Sequence, residues 1–273
     1  MPLRTFSGDI ILDLSGSSLI WLCLSALAAG AVNSLAGGGT LLTFPALIAA
    51  LAVGTSLEEA AVVANATSTV ALVPGALAGA WGYRREIRAV RGWFYLLVGP
   101  SLVGGLIGSL LVTRLPPKYF AALVPWLLLV AAVVFLLDTL WGRDRSKTLR
   151  PEMHSSGAIA GLVVFQFFVA VYGGYFGAGI GILMLSSLAL MGLGDMHRMN
   201  SLKTLLNACI NGVSVAVFVV DDKVVWHYAL PMAVAAILGG YLGARLALRI
   251  KPRSVRWAVI CVGFGLAIYY FLR

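Results

Sequence analysis

The sequence predicts an all-α polytopic membrane protein, made of two inverted-topology repeats with about five hydrophobic segments each. Hydrophobic residues make up 60% of the 273 residues and charged residues only 11%, whereas roughly a quarter of a soluble domain is charged. Apolar runs long enough to cross a bilayer as helices recur along the whole chain. The sequence lacks the alternating segments that are typical of membrane β-strands. Helices are therefore the predicted spanning structure, because they pair their own backbone polar groups within the bilayer.

Charged and glycine-rich stretches divide the chain into ten hydrophobic segments. These segments cover residues 17–34, 38–53, 58–83, 92–113, 118–138, 155–175, 177–193, 198–220, 224–248 and 254–272. The short segments at the start of each half are predicted to be glycine-broken or re-entrant helices, because a full crossing needs about 20 residues. The predicted organisation is an external N-terminal segment (1–16), a first transmembrane repeat (17–140), a cytoplasmic linker (141–154) and a second transmembrane repeat (155–273).

The two halves share one sequence register. A constant offset carries the glycine-rich run 104–108 onto 239–243. The same offset relates Asn65 to Asn200, Thr69 to Thr204, Arg114 to Arg249 and Pro117 to Pro252. Earlier in each half, with a shorter connection in the second, Gly37-x-Gly39 matches Gly179-x-Gly181. A register maintained over this distance indicates an internal repeat.

Basic residues indicate the orientation of the chain in the membrane. Most of the 20 lysines and arginines lie in four places, namely Arg84, Arg85, Arg88 and Arg91; Arg143, Arg145, Lys147 and Arg150; Arg198; and Arg245, Arg249, Lys251, Arg253 and Arg256. The positive-inside rule assigns these four places to the cytoplasm and both termini to the outside of the cell inner membrane. Equivalent loops of the two halves then fall on opposite faces, so the repeats are inverted. Inverted repeats with broken helices are typical of transporters whose site lies near the bilayer midplane.

Lys203 is the cation predicted to lie within a span. It shares one helical face with polar residues at Asn200, Thr204, Asn207 and Asn211. A charge inside a membrane is costly and therefore usually faces a functional interior, which favours a cavity lining. The alternative is that the Lys203 side chain extends back to the cytoplasmic interface. All eleven acidic residues lie at or near segment ends, so no sodium or proton site based on a buried carboxylate is predicted.

Two further groups of residues are candidates for substrate binding. Asn65 and Ser68 begin a polar face on the equivalent helix of the first half, where substrate contact and hydrogen bonding between helices are alternatives. The glycine clusters permit unwound backbone, and a helix that begins there presents free N–H groups to an anion. Tight helix packing is the alternative explanation for these glycines. The glycines concerned are Gly37, Gly38, Gly39, Gly177, Gly179 and Gly181.

Other classes of function have little support in the sequence. The three cysteines lie inside apolar segments without metal-ligand spacing, and the three histidines do not cluster. No metal, cofactor or catalytic group is therefore predicted, and the chain is not expected to be an enzyme. The net charge of +9 follows membrane topology, so no nucleic-acid partner is expected. The predicted partners are the lipid bilayer and a small substrate.

Two short segments carry a resemblance to a known family. Asn65-Ala66-Thr67-Ser68 and Asn200-Ser201-Leu202-Lys203, together with the duplicated glycine-rich breaks, resemble the TauE/SafE-type sulfite exporters of bacteria and plants. The likeness extends from about Ala26 to Leu272. In such families a proline follows the glycine-rich break. Pro45 fits this pattern, whereas the second half has serines at 186–187 instead.

The resemblance implies export of a small sulfur-containing oxyanion, such as sulfite, thiosulfate or a sulfonate like sulfoacetate, from the cytoplasm. Lys203 is then expected to supply positive charge near the midplane between the repeats, and backbone N–H groups of the glycine breaks to bind the anion's oxygens. The side chains expected to donate hydrogen bonds are Asn65, Ser68, Asn200, Thr204 and Asn207. A selective anion channel and a proton-coupled carrier of another organic anion are the alternatives.

Overall fold

The computed structural model describes residues 16–35, 38–52, 55–82, 86–141, 156–190, 196–246 and 252–272. All regular secondary structure in these ranges is helical. The N-terminal segment up to residue 15, residues 142–154 of the predicted linker, and Gly37 lie outside the described residues.

The described residues form ten α-helices and one short 3₁₀ helix, Glu86–Val90. The α-helices are α1 (Gly16–Leu35), α2 (Thr40–Leu51), α3 (Leu57–Gly82), α4 (Arg91–Arg114), α5 (Pro117–Trp141), α6 (Ser156–Tyr175), α7 (Ile180–Leu190), α8 (Met196–Val220), α9 (Trp226–Leu246) and α10 (Pro252–Phe271). Each predicted hydrophobic segment overlaps one of them, so the all-α prediction is confirmed. Within the described ranges, five are long and apolar enough to cross a membrane, namely α3, α4, α5, α6 and α8.

Two of the helices are much shorter than a bilayer is thick. The helices α2 and α7 have 12 and 11 residues. At 1.5 Å per residue each is less than about 20 Å long, whereas the hydrocarbon core of a bilayer is about 30 Å thick. The helix α2 packs against α1 and α3, and α7 packs against α6 and α8.

Helices of the first half pack mainly against helices of the second half. The most extensive contacts join α1 to α9 and α4 to α6, followed by α3 with α9, α5 with α10 and α4 with α8. The interface between the two halves is therefore the centre of the protein. Large apolar side chains such as Trp21, Leu230 and Leu272 are instead exposed on the outer surface, as expected of a surface that faces lipid.

Glycines allow the closest of these contacts. A Cβ added to Gly104 would lie 2.6 Å from the carbonyl oxygen of Phe167 on α6, and one added to Gly239 would overlap the backbone of α1 at Leu27. Such contacts bring helix backbones together in membranes, where small residues drive helix association. The glycine runs that the sequence repeats therefore serve the packing of α4 on α6 and of α9 on α1.

One end of the bundle carries charged groups from both halves. Arg114 Nη2, at the end of α4, lies 3.0 Å from Asp221 Oδ1, which follows α8. A cavity of about 80 Å³ at this end is lined in part by Glu59, Thr113 and Lys223. The start of α3, the end of α4 and the connection between α8 and α9 therefore meet at this end.

Candidate functional site at the helix breaks

The connection between α6 and α7, residues 176–179, is called the α6–α7 break. Backbone N–H groups at this break and in the first turn of α7 lie inside the protein. Gly177 and Gly179 have φ angles of 75° and 77°, a left-handed conformation that glycine adopts without strain. Within the described chain, the N–H groups of Ala178, Gly179 and Gly181 donate to no acceptor, although all three residues are buried. The start of α7 therefore combines unpaired donors with the positive end of a helix dipole.

The connection between α1 and α2, of which residues 38–39 are described, is called the α1–α2 break and has a related geometry. The N–H groups of Leu42 and Thr43 donate to Gly39 O over 3.0 and 3.4 Å, and those of Ile182 and Leu183 donate to Gly179 O over the same two distances. Each of these glycines directly precedes its helix. They differ in backbone conformation, since Gly39 is right-handed with a φ of −56°.

This geometry changes the predicted match between the breaks. The sequence comparison paired Gly39 with Gly181, but the helix ends pair Gly39 with Gly179. Gly181 lies in the first turn of α7 rather than in the break. The difference of two residues arose because neither helix end carries a side-chain signal, so the glycines alone set the comparison.

Both breaks lie against one aromatic ring. A Cβ on Gly38 would overlap the outer edge of the Phe135 ring, and a Cβ on Gly179 would lie 3.5 Å from Phe135 Cε2. Phe135 belongs to α5 and is fully buried. The sequence carries no signal that distinguishes Phe135, because it is one apolar residue within an apolar helix.

Two side chains attach the second break to its surroundings. The hydroxyl of Tyr172 donates to Ala178 O over 2.6 Å, and Asn65 Nδ2 donates to Tyr175 O over 3.0 Å. The predicted residue Asn65 thus joins α3 of the first half to the break of the second half. Its other polar atom, Oδ1, is buried and accepts no hydrogen bond in the described part of the chain. Tyr172, like Phe135, was not a predicted site residue.

The neighbours of Asn65 form contacts between helices. The fully buried hydroxyls of Ser68 and Thr43 are hydrogen-bonded to each other, which joins α3 to α2. Thr67 Oγ1 accepts a hydrogen bond of 3.1 Å from the N–H of Val225, in the connection between α8 and α9. The Ser68 hydroxyl therefore already has a protein partner.

The polar face of α8 is partly buried. The side chain of Lys203 is only 5% exposed. Ser201 Oγ and Asn207 Oδ1 are buried, and neither has a hydrogen-bond partner among the described residues. Thr204 Oγ1 donates to Asn200 O over 2.7 Å, and Thr69 Oγ1 donates to Asn65 O over 2.8 Å in the matching place on α3.

The predicted site residues fall into two groups along the bundle. Thr67 contacts Val225, beyond the end of α8, whereas Asn200 lies near the start of α8, about 15 Å before Ile210 along the helix. Asn200 is therefore not brought next to the Asn65 segment. Asn207 lies closer to the break, because Gly173 packs against both Ile180, the first residue of α7, and Ile210 of α8. The residues that the structure brings toward one another are Asn65, Asn207, Gly38, Gly39, Gly177, Gly179 and Gly181.

The backbone conformation of Gly179 gives a testable expectation. We expect Gly179→Ala to lower the free energy of unfolding by roughly 1–2 kcal/mol, because an L-residue in the left-handed region carries about that strain. Gly212→Ala on α8 is the matched control, since a Cβ there has no neighbour within 4 Å and its helical backbone favours alanine. Thermal unfolding of the purified variants measures both, and equal stability of the two variants would contradict the assigned backbone strain.

An all-helical bundle with an apolar exterior, five helices able to cross a bilayer in the described ranges and buried unpaired N–H groups at the start of α7 is typical of a polytopic membrane protein of the transport class. A protein-family model described as "Sulfite exporter TauE/SafE" matches residues 22–270. The chain belongs to this family and is a membrane transporter. Within the described ranges, no three histidine, cysteine, aspartate or glutamate side chains form a group able to hold a metal ion.

Curated relatives have names of the same kind. The chain is 29% identical over 260 residues to a "Probable membrane transporter protein" of Haemophilus influenzae, with 94% of each chain covered. It is 28% identical over 239 residues to the "Probable membrane transporter protein YfcA" of Escherichia coli, with 87% of this chain and 83% of the relative covered. A "Probable membrane transporter protein ORF9" of Sinorhizobium sp. is 27% identical over 265 residues, or 94% and 93% of the two chains. No solved structure gives a significant match.

Proposed function

We propose that the protein exports a small sulfur-containing oxyanion, such as sulfite, thiosulfate or a sulfonate, from the cytoplasm across the inner membrane. The observation that carries this proposal is the buried start of α7, where the N–H groups of Ala178, Gly179 and Gly181 have no acceptor in the described chain. Free N–H groups at a helix start bind oxyanions well. The family description, which names sulfite export, supports the same substrate class.

Lys203 supports an anionic substrate through its charge. It lies about 10 Å from Ile210 along α8, and Ile210 is level with the start of α7. At this distance two charges interact appreciably in a protein interior, where the dielectric is far below that of water. The buried ammonium therefore raises the affinity of the interior for an anion that approaches α7 from the Lys203 side.

Two carboxamides complete the proposed site. Asn65 and Asn207 each have a buried side-chain oxygen without a partner in the described residues. Rotation of the Asn207 amide would exchange its oxygen for its two N–H donors. Asn65 would remain bonded to the carbonyl of Tyr175 and would act by holding the break in position. Asn207 and the N–H groups at Gly177–Gly181 are thus the direct ligands in this proposal. Lys203 acts through its charge, while Thr204 and Asn200 line the approach.

We infer that the two halves are inverted repeats, with α1–α2 and α6–α7 as re-entrant pairs. The helix contacts support this arrangement, since exchanging the halves turns the pair α1–α9 into α6–α4 and the pair α3–α9 into α8–α4. The matching hydrogen bonds at Thr69 and Thr204 support it as well. The distribution of basic residues then gives both termini an external location. An inside-negative potential would favour exit of a monoanion by about 2.3 kcal/mol per 100 mV.

Ligand-induced stabilisation tests the substrate class. The midpoint of thermal unfolding would be measured in detergent with sulfite, thiosulfate, sulfoacetate or chloride at equal ionic strength. A sulfur anion at 100 times its dissociation constant should stabilise the folded protein by about 2.7 kcal/mol, whereas chloride should have little effect. Equal midpoints with all four anions would contradict the proposed substrate class.

Counterflow separates the proposed carrier from its two alternatives. Proteoliposomes loaded with unlabelled anion should transiently accumulate labelled anion if the protein is a carrier. Uptake that rises without saturation and without counterflow would indicate a selective anion channel. Uptake that follows an imposed pH gradient, at zero potential, would indicate a proton-coupled carrier of an organic anion instead.

A further inference from the structure

The Phe135 ring fills the space between the two helix breaks. Its outer edge lies against Gly38, which precedes α2, and against Gly179, which precedes α7. These two glycines belong to different halves of the chain, whereas Phe135 lies on α5. Both glycines lack a side chain on the side that faces the ring, so the ring takes the volume between the starts of α2 and α7.

The surroundings of Phe135 hold the ring at this point. The backbone carbonyl of Phe135 accepts a hydrogen bond of 2.8 Å from Thr139 Oγ1, one helical turn away. Ala131, one turn earlier on α5, is the next neighbour of Gly179, at 3.6 Å from its added Cβ. The Phe135 ring thus contacts a glycine at each of the two breaks, with the small side chain of Ala131 beside it at Gly179.

We propose that Phe135 is the steric barrier of the transport path and that it sets the size of the anion that passes. This proposal rests on the proposed site at the start of α7, because an anion that moves from there between the two breaks must cross the volume of the ring. The ring therefore turns away from Gly38 and Gly179 during each passage. The ring edge carries partial positive charge, so an anion can pass beside it without electrostatic repulsion.

Replacement of Phe135 tests the barrier in proteoliposomes. We expect Phe135→Ala to raise the flux ratio of benzenesulfonate to sulfite about tenfold or more, since one side-chain group in a pocket changes discrimination between substrates by about that factor. We also expect Phe135→Ala to leak chloride at least severalfold faster than the wild type when no other anion is added. Phe135→Leu retains most of the side-chain volume, so its flux ratio and chloride leak should lie between those of the wild type and of Phe135→Ala.

Phe120→Ala is the matched control. Phe120 is also a buried aromatic residue on α5, and its ring packs on the rings of Phe44, Tyr175 and Phe176. It therefore contacts the α6–α7 break through Phe176 and not through Gly179. The variant Phe120→Ala removes the same side-chain atoms as Phe135→Ala and creates a cavity of comparable size. An unchanged flux ratio and leak in folded Phe135→Ala, or the same changes in Phe120→Ala, would overturn the proposal.

A second variant keeps the test independent of a folding defect in Phe135→Ala. Gly38→Ala alone should slow transport at least tenfold, because its Cβ overlaps the ring, and the double variant Gly38→Ala/Phe135→Leu should recover most of that loss. No recovery in a folded double variant would contradict the contact. If the wild type transports no sulfur anion, the proposed function fails, whereas the chloride leak still decides whether Phe135 is a barrier.

Discussion

Replacing Lys203 by methionine is expected to slow sulfur-anion transport roughly tenfold to hundredfold. Two unit charges about 10 Å apart interact by about 1.7 kcal/mol at an effective dielectric of about 20, and each 1.4 kcal/mol corresponds to a factor of about ten. Methionine has a similar length and no charge, so it occupies the same volume on α8. Lys203→Arg keeps the positive charge and should retain a larger share of the activity. Efflux from proteoliposomes, normalised to folded protein, measures all three proteins.

Lys223→Met is the control for the loss of a positive charge as such. Lys223 is half-buried and lies in the connection after α8, whose last residue, Val220, is about 26 Å from Lys203 along the helix. Normal transport in Lys203→Met would show that the Lys203 ammonium merely reaches the membrane interface. An equal loss in Lys223→Met would show that the effect comes from net charge and not from the site.

The second large effect is expected at the contact between α1 and α9. Gly239→Ala should lower the free energy of unfolding by about 1–3 kcal/mol, the usual cost of overpacking, and Gly239→Leu should prevent folding. The reason is that a Cβ at Gly239 overlaps the backbone of α1 at Leu27. Size-exclusion profiles and thermal unfolding of the purified variants measure the effect.

Gly265→Ala provides the matched comparison for this prediction. Gly265 lies within α10, and a Cβ there has no neighbour within 4 Å. Alanine should be tolerated or slightly stabilising at this position, because it favours the helix. If Gly239→Ala were as stable as Gly265→Ala, the close packing of α1 on α9 would be incorrect.

The sequence was sufficient to predict the helices and most of their ends. Apolar runs separated by charge or glycine define such segments in any membrane protein, since the bilayer requires helices with internally paired backbones. The repeated run Gly104–Gly108 was recognised as a repeat, but its partner helix was not, because glycines show where backbones approach and not which helix approaches. The partner α6 is far away in sequence, and only the three-dimensional packing identifies it.

The candidate site was predicted only in part, for a physical reason. Asn65 and Asn200 hold equivalent places in the sequence register, in the first half of α3 and of α8. The start of α3 meets the connection after α8, since Glu59 and Lys223 line one cavity. The two helices therefore run in opposite directions, and equivalent residues in them are separated along the bundle. Asn207, further along α8, lies one turn before Ile210, which packs on Gly173 near the α6–α7 break. Phe135 and Tyr172 were missed because apolar and aromatic residues in membrane helices occur everywhere.

Anion efflux driven by an imposed membrane potential tests the central claim most directly. Proteoliposomes containing the wild-type protein or Lys203→Met would be loaded with sulfite, thiosulfate, sulfoacetate or chloride, and efflux would be followed at potentials of both signs. The proposal predicts saturable efflux of a sulfur anion that a negative interior accelerates and that Lys203→Met reduces at least tenfold. Chloride efflux as fast as sulfur-anion efflux, or no efflux of any of the four anions from folded protein, would contradict it.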